Sequence, residues 1–120
     1  MIIDQLMKVL PIGARIPKPK KDSDYRVHRW GLDNLGKSKL VYSFPSNASP
    51  IESHKKTIKE DEIIKSHERL ETTGKLTTAW YSGKFPEIYS HSPCNFTTIG
   101  GLFVKLGIAR YEKAGLYVKV

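Results

Sequence analysis

Apolar residues recur along this chain with two different periods, and the switch between them divides it into elements. Ile3, Leu6, Met7 and Leu10 follow helical spacing and predict a short amphipathic helix over residues 2–10, stopped by Pro11 and Gly13. The stretch Ile16-Pro17-Lys18-Pro19-Lys20-Lys21 cannot continue a helix, because each proline lacks a donor and pushes its predecessor toward extended geometry. It reads as a basic, extended arm serving as a linker. Period two then takes over. Tyr25 and Val27 alternate with Arg26, His28 and Trp30, and Leu40, Tyr42 and Phe44 alternate with Val41 and Ser43. The turn-forming residues between these runs predict an antiparallel hairpin. Pro45 ends the second strand and opens a loop expected to run to Lys56.

From residue 57 the helical period returns. Thr57-Ile58-Lys59-Glu60 has the form of a capping box, in which a hydroxyl and a carboxylate satisfy backbone donors reciprocally. Glu60, Asp61 and Glu62 fall where the helix dipole favours anions. With Ile63, Ile64, His67 and Leu70 on one stripe and Gly74 as a stop, the predicted helix covers residues 58–72. Thr77 or Thr78 caps a short second helix carrying Ala79, Trp80, Tyr81 and Phe85, and residues 87–93 read as a loop. Asn95 or Thr97 caps a third helix, in which Phe96, Ile99, Phe103 and Leu106 form the buried stripe and Gly107 the end. Residues 108–112 and 116–120 are β-prone runs joined by Lys113-Ala114-Gly115, a hairpin connection with glycine where positive φ is wanted.

The order helix, helix, helix, hairpin over residues 57–120 resembles the winged helix-turn-helix family. The expected fold is therefore α+β: a short N-terminal helix and β-hairpin followed by a winged-helix-like unit of three helices and a β-hairpin. We expect a single domain spanning 1–120, with 1–56 as helix, basic arm and hairpin, since 120 residues supply one core. The resemblance implies that the third helix enters a major groove and that the wing approaches the backbone. Its outward positions would be Thr97, Thr98, Gly101 and Lys105, and the wing would offer Arg110, Lys113 and Lys119 to phosphates. Past its cap the third helix has no Arg, Asn or Gln to read bases, so phosphate contacts dominate the expectation.

Charge adds to this picture. Lys plus Arg number 20 against 12 Asp plus Glu, a net +8, which favours polyanionic partners. Residues 15–39 carry a local +5 and residues 76–120 a local +3, whereas residues 55–75 are nearly balanced. In the first hairpin, Arg26 and Arg29 could neutralise phosphates while Trp30 stacks a base. The expected activity is thus non-catalytic DNA binding, with RNA as a variant. The alternatives are a protein-interaction module, and a small nuclease built on His28, Arg26 and Arg29.

Other chemistry is weakly represented. One cysteine, Cys94, allows no internal disulfide and suits a reducing, cytoplasmic setting. Asp4 and Lys8 interrupt the apolar start, so no signal core is expected, and the longest apolar run, residues 99–104, falls far short of a bilayer span. His91-x-x-Cys94 is the one close pair of metal-ligand types, short of the four that zinc takes, and no metal or cofactor is expected. His91 and Cys94 also suggest a base and a nucleophile, but no orienting third residue accompanies them. Gly100-Gly101 lacks the spacing and lysine of a phosphate loop, and reads as a site of close helix packing.

Overall fold

The first helix, α1 (Ile2–Val9), lays Ile2, Ile3 and Leu6 into the core of a computed structural model that describes residues 2–20, 23–45 and 53–120. Beyond Pro11 the chain does not leave the body of the protein. Gly13 N donates to the Val27 carbonyl, Val27 N to the Ala14 carbonyl and Ile16 N to the Tyr25 carbonyl, and Arg15 bridges Arg26. Ile16 is fully buried. The expectation of a linker is corrected here: the arm is extended, as its prolines require, but it is seated as an edge segment with an apolar anchor. Lys21 and residues 46–52, part of the expected arm and loop, lie outside the described residues.

Strands β1 (Arg26–Leu32), β2 (Ser38–Pro45) and β3 (Ser53–Lys59) form an antiparallel sheet in the order β1-β2-β3. Asp33 fixes the β1–β2 turn by accepting from the Leu35 and Lys37 amides, with Gly36 at φ +77°. A bulge between Val27 and Arg29 changes the alternation read from sequence. Val27 pairs with Tyr42 and Trp30 with Leu40, so both face inward, while Arg26 pairs with Ser43 and Arg29 with Val41 on the outer face. β3 departs from expectation along its whole length: the expected loop ends at Lys56, and Thr57 to Lys59 are expected to open the helix. Its sequence, SHKKTIK, has one apolar residue, Ile58, which is buried opposite Leu40, while His54 and Lys56 on the same side lie against the Phe44 ring.

Helix α2 (Glu60–Thr73) begins two residues later than the capping-box expectation. Glu62, not Glu60, reaches back to the Lys59 amide, and Glu60 accepts from the Ser38 amide at the start of β2. Gly74, at φ +77°, closes the helix as expected. A short strand β4 (Lys75–Thr77) follows, then α3 (Thr78–Lys84), whose Trp80 amide donates to the Thr77 hydroxyl. The expected loop is in part a further helix, α4 (Pro86–His91), with proline at its first position where no donor is missed. Helix α5 (Cys94–Leu106) follows Pro93 and ends at Gly107. Strands β5 (Ala109–Lys113) and β6 (Leu116–Lys119) close the chain, and the second sheet has the order β4-β6-β5.

The core is built around α5, and this overturns one expectation. Besides Phe96, Ile99 and Phe103, the positions Thr98, Gly100, Gly101 and Leu102 are also buried. On one side Gly100 meets Tyr117, whose ring carbon would lie 2.2 Å from an added Cβ. On another, Gly101 meets the arm, with the Pro17 carbonyl oxygen 2.0 Å from an added Cβ. Both glycines are there for close packing.

Candidate nucleic-acid interface

The outer face of the β1–β2–β3 sheet gathers the cations. Antiparallel pairing places directly opposed residues on the same side, so the register assigns each side chain to a face. One row across the sheet holds Lys59, Lys39 and Gly31, the next Thr57, Val41 and Arg29, and the third Lys55, Ser43 and Arg26. The Arg15–Arg26 bridge carries the third row onto the arm. Arg15, Arg26, Arg29, Lys39, Lys55 and Lys59 therefore share one surface. Over Gly31 the absence of a side chain leaves room for the Arg29 guanidinium, which would stand 2.4 Å from a Cβ there, with Lys39 Cε at 3.8 Å.

Part of this charge is opposed, since Lys59 acts on the Asp33 and Glu62 carboxyls and shares a cleft with Glu62 and Glu87. Arg26 pairs with Asp24 at 2.8 Å, and Arg15 donates to the Ser23 carbonyl at 2.9 Å. Arg29, Lys39, Lys55 and Lys59 have no ion pair among the described residues. Lys39 and Lys59 stand directly opposite each other, an arrangement that destabilises a sheet in isolation. Asp33 lies at the turn, its carboxyl held below the usual range by the Lys37 and Leu35 amides and then by the Lys37 and Lys59 ammoniums. Asp33, Asn34 and Leu35 form the wall of a cleft of about 480 Å³ floored by Lys39, Thr57 and Lys59.

The sheet's aromatic rings are on the other side. Tyr25 stacks on Phe44 at 5.1 Å and on Tyr42 at 6.0 Å, and Trp30 Nε1 donates to the Leu10 carbonyl at 2.9 Å. The expected base-stacking role of Trp30 is corrected by the bulge, which turns the indole inward, away from Arg26 and Arg29.

The remaining expected contacts are dispersed. Thr98 is fully buried, and both it and Thr97 accept from Lys18 Nζ, at 3.0 and 2.6 Å. Neither hydroxyl belongs to an outward helix face, because the arm lies across it. Lys105 is exposed and shares a cleft of about 360 Å³ with Arg15, Lys18 and Ser23. Arg110 and Lys113 lie on the outer face of the second sheet with Val118 and Leu116, Arg110 pairing with Glu112 at 2.9 Å. Lys119 stands opposite Ala109 on the other face and pairs with Glu71 at 2.9 Å. That bond holds the Glu71 carboxyl below its usual range. His28 is exposed at the bulge.

Behind the inner face runs a buried polar chain. Glu62, with its pKa raised by burial, accepts from the Tyr81 hydroxyl, the Lys59 amide and Asn95 Nδ2. Asn95 also donates to the Thr57 carbonyl and accepts from the Tyr42 hydroxyl. Cys94 Sγ lies 3.1 Å from that hydroxyl and 3.4 Å from Lys56 Nζ. Lys18 completes the chain: burial lowers its pKa to about 8, and its ammonium lies 4.1 Å from the Tyr25 ring centre. Its donors are spent on Thr97, Thr98 and the Cys94 carbonyl, so it is a structural cation. His91 Nδ1 lies 2.9 Å from the Glu87 carbonyl oxygen and makes no hydrogen bond with Cys94 among the described residues. Among the described residues no group of three or more His, Cys, Asp or Glu side chains is placed to hold a metal ion. Among the described residues no helix is long and apolar enough to cross a membrane.

The sequence reading found Arg26 and Arg29 but missed Arg15, Lys39, Lys55 and Lys59. The signal for Lys55 and Lys59 is their even spacing, which becomes one face only once residues 53–59 are known to be a strand. For Arg15 no local signal exists, since its place depends on the arm pairing with β1. No family model, curated protein or solved structure matches the chain.

Proposed function

We propose that this chain binds double-stranded nucleic acid, DNA in the first instance, through phosphate contacts and without catalysis. The carrying observation is the outer sheet face, where Arg29, Lys39, Lys55 and Lys59 lie together with no ion pair among the described residues. Opposed lysines cost stability unless a polyanion accompanies them, which favours a binding role over a merely solvated surface. Lys55 and Lys59 are about 13 Å apart along the strand, far enough to meet different phosphates. An outer face without aromatic rings among the described residues favours backbone contact with a duplex over base stacking with a single strand.

The winged helix-turn-helix resemblance of residues 57–120 enters only as a proposal. With α5 covered by the arm, it contributes through Arg110 and Lys113 on the hairpin rather than through a groove-entering helix. A reducing, cytoplasmic setting is proposed on the strength of the single cysteine.

The test is the salt dependence of binding to a short duplex. Affinity should fall with salt at a log–log slope of about −0.9 per neutralised phosphate, giving roughly −3 to −5 for this face. Replacing Arg29, Lys39 and Lys59 by alanine should reduce that slope by about 2 to 3. An unchanged slope would remove the sheet from the interface, and no duplex binding at low salt would end the proposal in favour of an acidic protein partner. Substituting an RNA duplex decides between the two polymers.

A further inference from the structure

A second cationic surface lies between α2 and α3, away from the sheet, and it holds what the sheet face lacks. Lys65, Glu68, Arg69 and Thr72 follow one stripe of α2 at intervals of three, one and three residues. They face Trp80 and Lys84 of α3 across a cleft of about 250 Å³. Trp80 is held in place: its amide is capped by Thr77, and Phe85 packs edge-on at 6.3 Å between ring centres. The ring is still partly open to solvent, and Arg69 Cζ lies 5.9 Å from its centre. Lys65, Arg69 and Lys84 have no ion pair among the described residues, and Glu68 is the one carboxylate lining the cleft.

We infer that this cleft binds a nucleotide, with its base against Trp80 and its phosphate held by Lys65, Arg69 and Lys84. A fixed indole supplies a flat apolar surface for any base, and a guanidinium beside it adds cation–π attraction. Three cations around one carboxylate leave the cleft electropositive, which suits phosphate and disfavours a neutral aromatic ligand. Its volume is below that of drug-sized pockets and fits one nucleotide rather than a dinucleotide cofactor. The nucleotide could be free or could belong to a single strand, and the chemistry is the same. This inference stands independently of duplex binding by the sheet.

The experiment follows tryptophan emission of the full chain during titration with adenosine 5′-monophosphate, a five-residue oligodeoxyadenylate and inorganic phosphate. The nucleotide and the oligonucleotide should both quench saturably, and should quench the part of the emission that Trp80→Phe removes. Inorganic phosphate should leave it unchanged. Oligonucleotide affinity at least 10-fold above that of the mononucleotide identifies a strand as the ligand, and equal affinities identify the free nucleotide. Lys65→Ala with Lys84→Ala should weaken binding about 10-fold, while the Arg29, Lys39 and Lys59 alanine variant should still quench. Fluorescence anisotropy of labelled oligonucleotide should show roughly 10-fold weaker binding to Trp80→Ala. Absence of saturable quenching, equal quenching by phosphate alone, or indifference to the Lys65 and Lys84 replacements would each overturn the inference. The last holds even if the Trp80 variants fail to fold.

Discussion

Adding one methyl group at Gly101 and at Gly83 should move stability in opposite directions, although both glycines are helical. In each helix, alanine is intrinsically preferred over glycine by about 1 kcal/mol. At Gly83 an added Cβ meets no heavy atom within 4 Å, so Gly83→Ala should keep most of that gain. At Gly101 the same atom would lie 2.0 Å from the Pro17 carbonyl oxygen and 3.1 Å from the Pro17 carbonyl carbon. The obstacle is backbone, so relief requires the arm to lift by more than about 1 Å, a misfit of the overpacking kind that costs about 1–3 kcal/mol. Lifting the arm also loosens Ile16, fully buried, and the Lys18 contacts with Thr97 and Thr98. Full exposure of an isoleucine side chain costs a further ~1.5–3 kcal/mol, of which partial lifting forfeits a fraction. After the helix gain is subtracted, Gly101→Ala should lose about 1–3 kcal/mol. Thermal and urea unfolding measure both variants. In a domain of this size the expected shifts are roughly −4 to −10 °C for Gly101→Ala and a few degrees upward for Gly83→Ala. A Gly101→Ala protein as stable as its parent would refute the reasoning that the arm is clamped to α5.

Two further variants probe the buried polar chain. Asn95→Ala should destabilise by about 2–4 kcal/mol, because it leaves the Tyr42 hydroxyl, the Thr57 carbonyl and the Glu62 carboxylate each short of a partner. Urea denaturation measures the loss, and a change under about 0.5 kcal/mol would mean that the network is dispensable. Lys18 predicts a pH dependence. Its folded pKa of about 8 lies below its ordinary 10.5, so between these values the unfolded chain binds more protons and stability rises with pH. Below pH 8 both states carry the charge and the cost is constant. Midpoints of unfolding from pH 7 to 10 should climb in the parent and stay flat in Lys18→Met; equal slopes would contradict the assignment.

Elements with local signals were legible in the sequence. The stripe in α1, the Thr77 cap, the Gly74 and Gly107 stops and the last hairpin all declare themselves within a few residues, and each is where the pattern put it. Misreadings fell where a partner distant in sequence decides. One extra residue between Val27 and Arg29 exchanges the faces of Trp30 and Arg29, and no propensity marks it. A strand as polar as SHKKTIK has its apolar complement on β2 rather than in itself. Thr98 and Gly101 occupy positions that a three-helix unit leaves open, and only the arm, some 80 positions earlier, covers them. The cationic face was half legible for the same reason: Arg26 and Arg29 sit in one segment, but their neighbours on the face come from three.

The seating of residues 16–18 against α5 has a consequence for how the chain reaches this state. Lys18 and Thr98 are separated by 80 positions, so their meeting closes most of the polypeptide into a single loop. Contacts of such long range are entropically expensive to form early, and chains dominated by them fold slowly. During synthesis the arm emerges long before its helix does, so its contact with Gly101 waits for residues some 80 positions later. A fragment beginning at residue 57 would expose Gly101 and the small-residue side of α5 to water. The two halves distinguished by sequence pattern are therefore expected to unfold together, in one transition, rather than as separable modules.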